Sequence, residues 1–163
     1  MEGAEAMDSP RPRDLAGAGI TDERISAAMQ YFHRVDAADP SLLDLMTDDV
    51  QIYFPKFGVG YGKDAVRESA RGFHAALRRI EHDFDRMNIM VSGDHVIVEG
   101  FEKGVMRDGT RWPVDGLSEG RYCNVFEFDG TLIKRVHIYV DPDFASTDRE
   151  RLLWGESVRM TRP

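Results

Sequence analysis

Val91-Ser92-Gly93-Asp94-His95-Val96-Ile97-Val98-Glu99 reads as two β-strands folded back on a Gly-Asp turn. An X-Gly or Gly-X pair between two such runs is a strong hairpin signal. Asp108-Gly109 and Asp129-Gly130 punctuate the chain further on in the same way. The period-two runs around these turns predict strands at about 82–92, 95–107, 111–128 and 131–141, an antiparallel meander.

Towards the N-terminus the period changes to that of a helix. Asp64 to Ile80 spaces Val66, Ala70, Phe73, Leu77 and Ile80 helically. Before it come a glycine-rich loop, Phe57–Gly62, and a short strand, Val50–Phe54, closed by Pro55. Pro40 to Met46 reads as a short helix. A longer one starts at Thr21, which can cap it, and ends at Asp39-Pro40. Its buried stripe is Ile25, Ala28, Met29, Phe32 and Val35, with Tyr31 beside it. Helices first and a meander last make this an α+β chain. One domain over 20–142 is expected. Residues 1–19 are expected to be a disordered tail, and 143–163 a second tail with a short helix near Arg151–Trp154.

Of 163 residues, 29 are acidic and 21 basic, a formal charge of −8. Nucleic acid and anionic membranes need basic surfaces, so neither is an expected partner. Cys123 is the lone cysteine, which excludes an intramolecular disulfide and a thiolate cluster. The five histidines show no ligand spacing, so no metal is expected. Without a signal peptide or apolar span, a cytoplasmic location is expected. Gly58-Val59-Gly60-Tyr61-Gly62-Lys63 precedes a helix but misses P-loop spacing, and it reads as a flexible pocket lip.

The order helix, short helix, strand, helix, meander resembles the cone-shaped nuclear transport factor 2-like (NTF2-like) fold, in which helices pack on a curved antiparallel sheet around a pocket. Tyr31–Asp39 with Leu42-Leu43-Asp44-Leu45-Met46-Thr47-Asp48-Asp49-Val50 is similar to its opening helices, Val91–Glu99 to its central hairpin, and Ile138-Tyr139-Val140-Asp141 to its last strand. The style is that of the SnoaL-like group, which includes polyketide cyclases and relatives of ketosteroid isomerase and scytalone dehydratase. One fold hosts many chemistries.

The resemblance implies that Tyr31, Asp36, His82, Glu102 and Asn124 are polar groups facing the cavity. It implies a binding wall of Phe54, Trp112, Tyr122, Phe126, Val136, Ile138 and Val140. Tyr31 resembles the isomerase tyrosine that hydrogen-bonds a developing enolate. Asn124 stands where that enzyme completes its oxyanion hole, and Phe54 stands where its base would be. Asp36 and His82 resemble an aspartate and the first histidine of scytalone dehydratase, whose second histidine is matched by Met106. Glu102 resembles an aspartate of limonene epoxide hydrolase, whose other two site residues are matched by Gly100 and Ile138. Asp141 faces the wrong way for the cavity and is expected to be structural. The implied function is a cofactor-independent dehydratase, isomerase or cyclase for a small apolar oxygenated molecule, acting as a homodimer. The alternative is a binding or accessory protein that uses the same cavity without chemistry.

Overall fold

The computed structural model describes residues 12–55, 58–114 and 118–141. Helix α1 (Pro12–Asp36) and a 3-10 turn (Pro40–Leu45) lead into β1 (Met46–Phe54) and β2 (Gly58–Tyr61). Helix α2 (Gly62–Ala76) runs directly into β3 (Leu77–His82). A 3-10 turn (Phe84–Arg86) separates β3 from β4 (Asn88–Ser92), and β5 (His95–Met106), β6 (Arg111–Trp112), β7 (Arg121–Asp129) and β8 (Leu132–Val140) follow. The architecture is α+β, one curled sheet in the order β2-β1-β8-β7-β5-β3, with β4 and β6 also paired to β5.

The spine is β5. Its first half pairs with β4 and β7, and its second half with β3 and β6. Changing partners midway lets one strand serve two parts of the curl. Val96, Val98, Gly100, Glu102 and Gly104 are buried, and the residues between them are not. On β7, Tyr122, Asn124, Phe126 and Phe128 are buried in the same alternation. Both are the period-two faces expected of half-buried strands.

Helix α1 lies on this inner face. Phe32 and Ala28 are fully buried, and Tyr31 meets Phe126 edge-on with ring centroids 5.2 Å apart. Phe32 also packs on Tyr122 and Phe126. Burying a side chain of this size contributes about 1.5–3 kcal/mol. The three hairpin glycines, Gly93, Gly109 and Gly130, all take positive φ, as the turns require.

The structure departs from the sequence expectations at several places. Strand β1 begins at Met46, four residues before the expected Val50, and the single strand expected over 82–92 is split by the Phe84–Arg86 turn into the end of β3 and β4. Helix α1 begins at Pro12, so residues 12–19 of the expected tail are helical; proline is tolerated in a first turn, where its missing N–H has no partner. It ends at Asp36, because Ala38 turns left-handed (φ 54°) and Asp39 accepts the Ser41 N–H to cap the next turn. The glycine-rich stretch is edge strand β2, antiparallel to β1, with Gly60 against Ala65. It does not line the cavity and forms no lip. Helix α2 stops at Ala76, and Leu77–His82 joins the sheet, since Leu77 and Ile80 fit either period and β5 offers an unpaired edge. The expected strand 111–128 breaks after Trp112, where Pro113 has no N–H to donate. Residues 1–11 and 142–163 lie outside the described residues, and with them the C-terminal helix expectation.

Candidate active site

A cavity of about 520 Å³ opens between α1, α2, the Pro40–Leu45 turn and the inner face of the sheet. Its wall is mostly apolar: Val35, Leu42, Leu43, Ile52, Phe54, Val66, Phe73, Ile138 and Val140. Tyr31, Asp36, His82, Glu102 and Asn124 also line it. All five polar residues named from the sequence thus surround one space.

Three of them are joined. His82 and Glu102 are direct cross-strand partners on β3 and β5, so the pairing register itself brings them side by side. His82 Nε2 lies 3.4 Å from Glu102 Oε2. On the other side His82 Nδ1 lies 2.5 Å from Asp36 Oδ1, and the His82 backbone N–H donates to Asp36 Oδ2 at 2.9 Å. Asp36 is the last residue of α1, where a carboxylate opposes the helix dipole. Its position is explained by the strand it reaches, not by the helix it ends. The side chains of His82 and Glu102 are only 5% and 6% exposed.

Burial alone disfavours a charged imidazole. The hydrogen bonds and negative charges of Asp36 and Glu102 outweigh it and push His82 up to about 9. His82 is therefore an imidazolium at neutral pH, held between two carboxylates. Burial, reinforced by the charge of Glu102, pushes the Tyr31 phenol well above its usual range. Tyr31 is then a hydrogen-bond donor at any physiological pH.

Glu102 sits in a niche made by small residues. Gly100 and Gly104 flank it on the same face of β5. A Cβ at Gly100 would lie 2.5 Å from the Tyr122 hydroxyl, and one at Gly104 would collide with the Trp112 ring. The two glycines let both aromatic rings approach the strand closely on either side of the carboxylate. Asn124 is buried, and its Oδ1 has no hydrogen-bond partner among the described residues.

The binding wall read from the sequence divides. Phe54, Ile138 and Val140 line the cavity. Trp112, Tyr122, Phe126 and Val136 do not. Their parity is right, but α1 covers that end of the sheet, so Phe126, Val136 and Tyr122 belong to the core with Phe32, and Trp112 packs over Gly104. Tyr122 touches the site from behind, its ring edge-on to His82 at 5.0 Å. His82 ends β3, with its side chain 5% exposed. Asp141 is structural: its Oδ2 accepts the N–H groups of Glu119, Gly120 and Arg121 at the start of β7.

Sequence reasoning missed the basic part of the wall: Arg34, Arg67, Arg71, His74, Arg78 and Arg79. The signal was available, since 67, 71 and 74 are one helical stripe beside Val66, Ala70 and Phe73. Among the described residues no group of three or more His, Cys, Asp or Glu is arranged to hold a metal ion. No described helix is long and apolar enough to cross a membrane.

The sequence profile of the SnoaL-like domain matches residues 28–136, which span α1 to β8 and carry every polar residue of the site. The chain belongs to the SnoaL-like family. This SnoaL-like domain is structurally similar to an NTF2-like protein of unknown function from Burkholderia pseudomallei, with 15% identity and TM-score 0.64 over 80% of this chain and 97% of that one. It is also similar to TerC, crystallised with polyporic acid, at 16% identity and TM-score 0.63 over 73% of this chain and 92% of that one. A proposed polyketide cyclase from Xanthomonas campestris pv. campestris aligns at 16% identity and TM-score 0.62 over 75% and 93% of the two chains. At such identities the likeness is one of fold. No curated protein matches the SnoaL-like chain.

Proposed function

We propose that this SnoaL-like protein is a cofactor-independent proton-transfer enzyme of lyase, isomerase or cyclase type, acting on a small apolar oxygenated molecule. The observation that carries this reading is the buried Asp36–His82–Glu102 chain opening on an apolar cavity. Small-ligand sites combine such a wall with a few convergent polar groups.

Both ring nitrogens of His82 face carboxylates inside the protein, so Glu102 is the member that meets the substrate. Glu102 takes a proton from a carbon next to a substrate carbonyl. Tyr31 donates a hydrogen bond to the oxygen on which charge develops, and Asn124 completes that side of the cavity. Asp36 and the His82 imidazolium hold Glu102 in place and balance its charge. Glu102 then returns the proton: to a different carbon, giving an isomer; to a hydroxyl that the enolate expels as water, leaving a double bond; or to the oxygen of a second carbonyl whose π bond opens as the enolate carbon attacks it and closes a ring. Each step needs only a base and an oxyanion donor. The same reading has the protein working in the cytoplasm as a homodimer that pairs through the outward face of β8, where Tyr139 is exposed.

Solvent-deuterium incorporation into a panel of small apolar ketones and enones tests it. Wild-type protein is expected to exchange at least one of them, and Glu102→Gln to lose that exchange. Exchange untouched by Glu102→Gln removes Glu102 from the role. A panel compound that binds tightly with no exchange at all favours the non-catalytic binding alternative, which the fully satisfied His82 also fits.

A further inference from the structure

The charge around the cavity runs against the charge of the chain. The whole sequence is at −8, yet the wall carries five arginines against three carboxylates. The carboxylates are committed inward or locally: Asp36 and Glu102 to His82, and Asp39 to the Ser41 N–H. The arginines are not equally committed. Arg67 and Arg71 pair with Asp64 and Glu68 one turn back on α2, in ion pairs whose four side chains are 54–95% exposed. Exposed pairs of this kind are weak and exchange readily. Arg78 has no ion-pair or hydrogen-bond partner among the described residues.

Position sharpens the contrast. Arg67, Arg71 and His74 form one stripe along α2, and Arg78 continues it at the start of β3. Val66, Ala70, Phe73 and Leu77 form the next stripe over, which faces the cavity. A molecule lying on the apolar stripe with its reacting end at Glu102 has its other end beside these cations.

We propose that the Arg71–Arg78 edge of the cavity is an anion subsite, and that the substrate is an amphiphile with an apolar body and one ionised carboxylate-type group held there. This rests on the reading of the cavity as the substrate site. The acid group stays at the solvated rim, where an anion keeps part of its hydration. The uncharged, reacting part goes into the water-poor end, where Glu102 would repel a second anion.

Calorimetric titration of the full chain with cinnamate and with its uncharged amide tests the proposal. Cinnamate is expected to bind about tenfold tighter than the amide at low salt, the worth of two partly exposed charge contacts. The preference is expected to shrink to about twofold in Arg71→Gln/Arg78→Gln and at high ionic strength, where exposed charges are screened. It is expected to persist in His82→Gln, which separates the rim from the charge on the imidazolium. Equal affinity for the two probes, absence of binding by both, or a preference that survives in the double arginine variant overturns it. Loss of the proton-transfer reading looks different: deuterium exchange would then be indifferent to Glu102→Gln while the cinnamate preference stood.

Discussion

The two ends of the cavity handle charge in opposite ways. At the inner end three titratable groups are locked together in a chain, mostly buried, with a histidine raised to about 9. At the rim the charges are as numerous, but they are solvated, weakly paired on α2, and in the case of Arg78 without a partner among the described residues. Burial makes the difference. A charge in a low-dielectric site is costly unless it is fully partnered, so the inner end is specific about geometry. A solvated charge can wait for a ligand. The lesson is that the inner end is built for chemistry on a fixed atom and the rim for holding a group whose position need only be approximate.

Breaking the inner end is expected to have the largest effects. Glu102→Gln keeps shape but removes the base, and should lower kcat by about 10²–10⁴-fold in the exchange assay. His82→Ala leaves Asp36 and Glu102 facing each other without the imidazolium. A destabilisation of about 3–5 kcal/mol by urea unfolding is expected, the usual cost of removing one partner of a buried ionic group. Tyr31→Phe removes only a hydroxyl, and should cost about 10²-fold in kcat while thermal stability changes little. A pH series tests the inner end without mutation. The folded value of His82 lies above its ordinary 6.5, so its stabilising contribution is complete below that pH and is lost as pH rises through about 9. Wild-type stability should decline over that window, and His82→Gln should not show the same decline. At the small end of the scale, Asp39→Ala removes a cap on the Pro40–Leu45 turn and should lower the unfolding temperature only slightly, with the inner site unaffected.

Much of the site was legible because inward-facing side chains on a strand recur at every second position. Parity groups Glu102 with Val96 and Val98, and Asn124 with Tyr122 and Phe126; the family resemblance implied that these groups face inward, and the helical stripe put Tyr31 beside the core. What could not be read was the meeting of His82 with Glu102. It depends on the β3–β5 register, and Leu77 and Ile80 allowed the preceding segment to be taken as helix. The depth of the cavity was hidden for a related reason. Parity says which face Phe126 and Val136 occupy, but not that Phe32 and Tyr31 descend onto them and fill that end. The niche around Glu102 was written in Gly100-Phe101-Glu102-Lys103-Gly104, but its meaning needs the rings of Tyr122 and Trp112, which arrive from other strands.

The central claim is that Asp36 and Glu102 hold His82 as a buried imidazolium at the head of an apolar cavity. Nitrogen-15 NMR of the His82 ring across a pH titration tests it most directly and needs no substrate. The account predicts that both ring nitrogens stay protonated at neutral pH and titrate near 9, falling when Glu102 is changed to Gln. A ring that titrates at or below 6.5, or that ignores Glu102→Gln, would contradict it.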